Sequence, residues 1–182
     1  MFRNLKLGLI VTACAAFVAS PAAAHLNKGD KAPAFSTRAA LAGEEFGFIL
    51  RTALAKGPVV LYFYPKAFTK GCTLEANAFA DNMAKFEAAG ATVIGMSNDD
   101  IATLKRFSRE ECRDAFPVGV ASDKIINAYD VALVRDGKDT GVTSRTSYVI
   151  ASDGKIAMVH DDMDYREHVR LTLDTVRKLK KK

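Results

Sequence analysis

An unbroken apolar run between two prolines constrains the fold of this chain more than any other feature. Pro58 is followed by Val59-Val-Leu-Tyr-Phe-Tyr64, and Pro65 ends the run. Such a run without polar alternation is typical of a strand that is buried on both faces of a sheet. Residues 74–88 then carry Leu, Ala, Phe and Met at helical spacing, and residues 91–96 form the next apolar run. A buried strand, a helix and a second buried strand predict a strand–helix–strand unit in the core of a sheet.

The rest of the chain continues this alternation of strands and helices. Ile101, Leu104 and Phe107 mark one face of a helix. A short strand, a short helix, a hairpin and a C-terminal helix are predicted after it, at residues 118–121, 125–129, 146–160 and from 165 onward. The secondary structure of residues 39–56 is ambiguous from the sequence. With 182 residues, 49% hydrophobic and 26% charged, the order predicts one α/β domain with a central mixed sheet and helices on both faces, a thioredoxin-like fold.

The first 24 residues differ in composition from the rest of the chain. Arg3 and Lys6 precede an apolar run over residues 7–18, and the small-residue stretch Ser20-Pro-Ala-Ala-Ala24 follows. This layout predicts a secretory signal peptide over residues 1–24 and a mature domain over residues 25–182. The run is too short for a transmembrane anchor. We therefore expect a periplasmic protein without membrane insertion after cleavage; a lipoprotein anchored at Cys14 and a buried N-terminal helix are the alternatives.

The charge of the mature chain does not favour a nucleic-acid partner. The 26 Lys and Arg residues exceed the 21 Asp and Glu residues, which gives a net charge of +5. Removal of Arg3 and Lys6 leaves 24 cations against 21 anions, a net charge of +3. Much of this excess lies in the C-terminal lysines, which we interpret as a solvated helix end. The remaining charge is too weak to indicate nucleic-acid binding.

Two cysteines, Cys72 and Cys112, remain after Cys14 leaves with the signal peptide. An exported pair can form a structural disulfide or a redox-active couple, and composition does not separate the two. Cys72 lies where a buried strand has ended and a helix begins, so its sulfur is expected near the free amide groups of a helix N-terminus. Such a position stabilises a thiolate, the nucleophilic form of cysteine. A buried, inert cysteine is the alternative interpretation.

The segment around Cys72 resembles the active site of the peroxiredoxins. Residues 64–75 read Tyr-Pro-Lys-Ala-Phe-Thr-Lys-Gly-Cys-Thr-Leu-Glu, and thereby contain a Pro, three residues, Thr, two residues and Cys. The segment is most similar to the bacterioferritin comigratory protein, or peroxiredoxin Q, branch. The similarity extends to residues 29–33, 97–100 and 145–150, and so covers nearly the whole mature chain.

This resemblance implies a role for each matching residue. Cys72 corresponds to the peroxidatic cysteine, Thr69 to the hydroxyl that orients the peroxide, Pro65 to the shield of the pocket, and Arg145 to the cation beside the sulfur. Glu75 could reach back to a backbone amide or hold an arginine; an ordinary first-turn carboxylate is the alternative. The implied reaction is attack of the Cys72 thiolate on hydrogen peroxide or an organic hydroperoxide, which leaves a sulfenic acid for an external thiol donor to reduce.

The chain departs from this branch at the position of the usual resolving cysteine. Five residues after Cys72 stands Asn77, which excludes that resolving route. Cys112, near the end of the helix that contains Leu104 and Phe107, is the remaining candidate. At helical spacing it falls at the margin of the apolar stripe, so we expect it to be neither fully buried nor fully exposed. A cysteine without a redox partner is the alternative.

Two other functions are compatible with the predicted fold. A thiol–disulfide oxidoreductase is disfavoured because Thr69 replaces the first cysteine of a Cys-x-x-Cys pair. A redox-silent binding domain would keep a structural Cys72–Cys112 disulfide. The histidines, among them His160 and His168, have no ligand spacing, so no metal or cofactor is expected, and His160 is interpreted as solvent-facing. A periplasmic thiol donor and a monomer or weak dimer complete the expectations.

Overall fold

The computed structural model describes residues 26–180. Residues 1–25 and 181–182, and with them the signal peptide and Cys14, lie outside the described part. The described strands are β1 Ser36–Leu41, β2 Glu44–Ile49, β3 Val59–Phe63, β4 Thr92–Ser97, β5 Val118–Val120, β6 Ala132–Arg135, β7 Lys138–Thr143, β8 Thr146–Ile150 and β9 Ile156–Asp161. The helices are α1 Leu50–Leu54, α2 Lys70–Ala88, α3 Ile101–Glu110, α4 Asp123–Tyr129 and α5 His168–Lys180, with a 3₁₀ turn at Tyr165–Glu167 before α5.

Seven of the strands form one mixed sheet in the order β2-β1-β5-β4-β3-β8-β9. The central strands β3, β4 and β5 run parallel, and β8 pairs antiparallel with β3. Strands β6 and β7 form a separate antiparallel pair. This mixed sheet confirms the fold class, and it brings the ends of β3 and β4 to the same edge as the start of α2.

The buried strand β3 separates two hydrophobic layers. Val60, Tyr62 and Tyr64 face a cluster built with α2, α3 and α5. Leu61 and Phe63 face a second cluster built with α1 and α4. Successive side chains of a strand point to opposite faces, so an entirely apolar run is what a strand between two helical layers requires. The prediction of helices on both faces is confirmed.

The ambiguous residues 39–56 fold into the β1–β2 hairpin and the short helix α1. Ala42 and Gly43 connect the strands, both with positive φ angles of 51° and 79°. A two-residue turn of this kind usually contains Asn-Gly or Asp-Gly, so Ala-Gly gives little signal in the sequence. Gly43 is further required because a Cβ atom there would lie 2.8 Å from Cδ of Arg109.

A membrane-spanning helix must be both long and apolar, and this standard applies to every helix within residues 26–180. None of them is both long enough and apolar enough to cross a membrane.

Candidate active site

Cys72 lies in the first turn of α2, three residues after the N-cap residue Thr69. The helix begins at Lys70, four residues before the predicted start, because the loop after β3 turns directly into it. The Cys72 side chain is 2% exposed. The first amide groups of a helix have no intrahelical acceptor and carry partial positive charge, so the sulfur lies where a negative charge is stabilised.

Arg145 extends from the segment before β8 to this sulfur. Its Nη2 donates to Sγ of Cys72 at 3.5 Å, and its Nε donates to the carbonyl oxygen of Met163 at 3.0 Å. The guanidinium is itself buried, with 4% of the residue exposed. Gly71 leaves the space that this contact needs, since a Cβ atom there would lie 3.2 Å from Nη2. The structure thus brings together the cysteine and the arginine that the sequence pattern singled out.

Glu75, one turn further along α2, holds Arg145 from the other side. Its Oε2 accepts a hydrogen bond from Nη1 of Arg145, and both side chains of this ion pair are buried. The other carboxylate oxygen, Oε1, has no hydrogen-bond partner in the described part of the chain. Burial raises the pKa of Glu75 to about 8, although the neighbouring Arg145 opposes this shift. Of the roles open for Glu75, holding an arginine is the one that the structure shows.

His168, at the start of α5, belongs to the same buried polar group as Cys72, Arg145 and Glu75. The sequence does not single it out as a site residue. Its Nδ1 lies 2.8 Å from Oγ of Ser147 and 3.7 Å from Oε1 of Glu75. Its Nε2 lies 2.9 Å from the carbonyl oxygen of Asp162. Burial lowers the pKa of His168 to about 4. No local motif marks this histidine, since its partners come from other segments of the chain.

The ring of His168 also contacts His160 of β9, with the ring centroids 4.5 Å apart. The interpretation of His160 as a solvent-facing residue is therefore wrong, because this contact half-buries the side chain.

The loop between β3 and α2 carries Pro65 and Thr69. Pro65 is half-buried, and the hydroxyl of Thr69 donates to the carbonyl oxygen of Lys66 at 2.9 Å. Asp99, after β4, accepts at its Oδ2 from the amide of Ala67 at 2.8 Å. This bond ties the loop to the neighbouring strand and gives a structural reason for Asp99.

Cys112 does not lie at a helix margin as expected; it is fully buried with 0% exposed. Helix α3 ends at Glu110, and Cys112 follows the C-cap residue. The chain then turns through Arg113 and Asp114, both with positive φ angles of 52° and 58°. Helical spacing no longer applies beyond the helix end, and the turn directs Cys112 into the core. Both cysteines are free thiols, and burial raises the pKa of the Cys112 thiol.

Comparison with known proteins identifies the family. The sequence matches the AhpC/TSA family over residues 28–159. The chain belongs to this family. It is 32% identical to peroxiredoxin Bcp of Escherichia coli over 151 residues, which cover 82% of this chain and 94% of that protein. It is 34% identical to the chloroplastic peroxiredoxin Q of Populus jackii over 161 residues, covering 86% and 70% of the two chains.

A solved structure supports the same assignment. Peroxidoxin BcpB of Mycobacterium tuberculosis superposes with a TM-score of 0.75 at 31% identity, covering 85% of this chain and 98% of the other. The chain is therefore a peroxiredoxin of the bacterioferritin comigratory protein and peroxiredoxin Q branch, a thiol-dependent peroxidase with a thioredoxin-like fold.

In this peroxiredoxin, the residue at the usual resolving position contacts the segment around Cys112. Nδ2 of Asn77 lies 3.5 Å from Oε2 of Glu111, and the carbonyl oxygen of Asn77 accepts from Nη2 of Arg113 at 3.0 Å. Arg113 also forms an ion pair with Asp81 on the next turn of α2. The two residues that flank Cys112 are thus fastened to the helix that carries Cys72.

Metal-ligating side chains are not clustered in residues 26–180: no group of three or more His, Cys, Asp or Glu residues there could hold a metal ion.

Proposed function

We propose that Cys72 is the peroxidatic cysteine of this peroxiredoxin and that Arg145 stabilises its thiolate. The observation that carries this assignment is the 3.5 Å contact between Nη2 of Arg145 and the sulfur of Cys72 in the first turn of α2. Helix amides and a guanidinium both favour the anionic sulfur. The guanidinium also offers further donors to a peroxide oxygen that gains charge as the O–O bond breaks.

Thr69 and Pro65 shape the approach of the peroxide in this proposal. The Thr69 hydroxyl hydrogen is engaged by the carbonyl oxygen of Lys66. Its oxygen therefore accepts a hydrogen bond from the O–H group of a hydroperoxide, rather than donating one. This orients the peroxide for attack by Cys72, while Pro65 covers one side of the pocket. Hydrogen peroxide and organic hydroperoxides are the proposed substrates.

Cys112 resolves the sulfenic acid in this proposal. It is the other cysteine among the described residues, and it lies in the same hydrophobic cluster as Cys72. Both residues are buried, so disulfide formation requires the segment after α3 or the first turn of α2 to open. A structural disulfide is not supported, because both cysteines are free. An oxidoreductase of the Cys-x-x-Cys type would need a thiol where Thr69 stands.

The composition of residues 1–24 supports export to the periplasm followed by cleavage after Ala24. The reductant would then be a periplasmic thiol protein or a small thiol, because cytosolic thioredoxin does not reach this compartment. By similarity to its branch, we propose a monomer or weak dimer. Processing to residue 25 in cell fractions tests the location, and lipidation at Cys14 would contradict it.

The experiment that tests the function is intact mass spectrometry of the mature protein after one equivalent of hydrogen peroxide. The wild type is expected to lose two hydrogens as a Cys72–Cys112 disulfide forms. The Cys112→Ser variant is expected to gain one oxygen at Cys72, in a form that a sulfenic-acid reagent traps. The Cys72→Ser variant is expected not to react.

The other outcomes separate the alternatives. A trappable sulfenic acid in the wild type without a disulfide would show that Cys112 is not the resolving cysteine and that an external thiol acts directly. Full peroxidase turnover by Cys72→Ser would contradict the assignment of Cys72.

A further inference from the structure

A buried carboxylate oxygen without a partner lies behind the Cys72–Arg145 contact. Glu75 turns Oε2 toward Arg145, whereas its Oε1 has no hydrogen-bond partner among the described residues. An unpaired oxygen on a fully buried carboxylate is costly, because it has lost its water and gained nothing in return. Nδ1 of His168 lies 3.7 Å from this oxygen, too far for a hydrogen bond in the present arrangement.

The surroundings of His168 determine its tautomer. Nε2 lies 2.9 Å from the carbonyl oxygen of Asp162. A carbonyl oxygen only accepts, so Nε2 carries the proton. Because burial keeps the imidazole neutral, Nδ1 presents a lone pair, to which the hydroxyl of Ser147 donates at 2.8 Å. Oε1 of Glu75 therefore faces an acceptor, and only a protonated Glu75 can bond to it.

The charges of the buried site favour such a proton. While Cys72 is a thiolate, two anions, Cys72 and Glu75, share the single positive charge of Arg145. A second buried anion beside one cation is disfavoured. Protonation of Glu75 makes the group neutral. Nδ1 of His168 can accept that proton once the Ser147 hydroxyl turns away and Oε1 moves from 3.7 Å into hydrogen-bond distance.

The peroxidase reaction removes the negative charge of Cys72, which had favoured the proton on Glu75. The sulfur lone pair forms a new S–O bond as the O–O bond breaks; sulfur is oxidised and the peroxide reduced. The leaving alkoxide or hydroxide takes one proton to become alcohol or water. The thiolate becomes an uncharged sulfenic acid, so the buried group remains neutral only if Glu75 loses one proton.

We propose that Glu75 and His168 together hold one buried proton while Cys72 is a thiolate, and that in mildly alkaline solution Glu75 releases it when Cys72 is oxidised. The inference rests on the proposed role of Cys72. His168 contacts none of the reacting atoms, so it is a positioning residue that acts through Glu75. The proton released by Glu75 equals in number the proton that the leaving oxygen consumes, whatever path joins them.

The pH range of this release follows from the groups that face the pair. Cys72 on α2, Tyr62 on β3 and His160 on β9 are three of these groups. The others are Arg145, just before β8, and Asp162 and Asp164, just after β9. Burial raises the pKa of Glu75 to about 8, and a neighbouring thiolate raises it further because the two charges repel. Release therefore occurs just above pH 8, where Glu75 is protonated beside the thiolate and ionised beside the sulfenic acid.

Proton uptake during oxidation tests the proposal in the Cys112→Ser variant, where the sulfenic acid persists. One equivalent of hydrogen peroxide is mixed with the protein in weak buffer containing a pH indicator. Uptake is counted per trapped sulfenic acid and corrected for the thiolate fraction measured by ultraviolet absorbance. At pH 7 we expect one proton per thiolate. Just above pH 8 we expect proton uptake to dip toward zero. At still higher pH it returns to one, because Glu75 is then ionised beside both the thiolate and the sulfenic acid.

Three further substitutions are expected to change the dip in proton uptake in different ways. Glu75→Gln abolishes it and takes up one proton at every pH. His168→Gln keeps an amide that can donate to Asp162 but removes the Nδ1 acceptor, so the dip moves to lower pH by about half to one unit, the size of one hydrogen bond. Ser147→Ala removes the donor that competes for Nδ1, so the dip moves to higher pH.

The opposite shifts of these two variants distinguish the proposal from general destabilisation. A flat uptake of one proton, with sulfenic acid formed at Cys72, would overturn the inference and leave the peroxidase assignment intact. A dip that neither His168→Gln nor Ser147→Ala moves would overturn the role of His168. If no sulfenic acid forms at Cys72 at any pH, the proposed function itself fails.

Discussion

Substitution of Arg113 is expected to accelerate disulfide formation, because this arginine fastens the segment around the proposed resolving cysteine. Its Nη2 donates to the carbonyl oxygen of Asn77 and pairs with Asp81, both on α2. Cys112, the preceding residue, is fully buried. Opening of this segment breaks both contacts, so removal of the guanidinium lowers the free energy of opening.

The size of the effect follows from the exposure of the two contacts. The side chains of Arg113 and Asp81 are 46% and 64% exposed, so their ion pair contributes about 0.2–1 kcal/mol. The hydrogen bond to Asn77 adds about 0.5–1.5 kcal/mol. Arg113→Ala leaves the positive φ angle in place and removes only these contacts. A change of about 1–2 kcal/mol raises the open population about 5- to 30-fold.

The assay is a rapid-mixing experiment with one equivalent of hydrogen peroxide. Samples are quenched with a sulfenic-acid reagent at increasing times, and intact mass separates trapped sulfenic acid from disulfide. Arg113→Ala is expected to convert sulfenic acid to disulfide several-fold faster than the wild type and to resist overoxidation better. Arg170→Ala is the matched control, since Arg170 is also exposed and pairs with two carboxylates, Glu167 and Asp174. An unchanged rate in Arg113→Ala, or an equal increase in Arg170→Ala, would refute the reasoning.

Three further predictions follow from the buried polar group. Arg145→Lys keeps the charge but loses the fork of donors, and steady-state kinetics should show about a 100-fold lower peroxidase rate; a near-normal rate would contradict the role of Arg145. Gly71→Ala brings a methyl group to 3.2 Å from Nη2 of Arg145 and should lower the rate several-fold, whereas Gly47→Ala, with no atom within 4 Å, should not. Burial raises the folded-state pKa of Glu75 from 4.5 to about 8, so its contribution to stability is present below pH 4.5 and is lost as pH rises through 8. Denaturation of Glu75→Gln should show less loss over that range, and parallel curves for the two proteins would contradict this sign.

The strands and helices that the sequence predicts well are those whose apolar residues follow one regular pattern along the segment. The apolar run of β3 and the helical spacing of α2 are both present as expected. The β6–β7 pair was overlooked, although Asp136-Gly137 connects it with positive φ angles of 51° and 72° and is a usual hairpin dipeptide. Its strands are largely exposed and lack the apolar alternation that marks a half-buried strand.

The site was predictable only where a motif is local in sequence. Cys72, Thr69 and Pro65 lie within eight residues of one another, so their pattern is recognisable without a structure. Helical spacing predicts a helix-margin position for Cys112 only if it is extended beyond Glu110, where α3 ends. His168 was missed because its polar partners belong to other strands and segments, and no spacing rule relates them.

Arg145 shows why such contacts decide the chemistry of a short motif. Its planar guanidinium donates in three directions at once: Nε to the carbonyl oxygen of Met163, Nη1 to Glu75 and Nη2 to Cys72. Two of these contacts fix the plane, and the third then points at the sulfur. The orientation of the cation beside Cys72 thus depends on the segment between β9 and α5, where the sequence carries no active-site motif. A lysine at position 145 carries its three donors on one nitrogen, so it lacks the planar fork that spans Met163, Glu75 and Cys72, and the same charge is not expected to suffice.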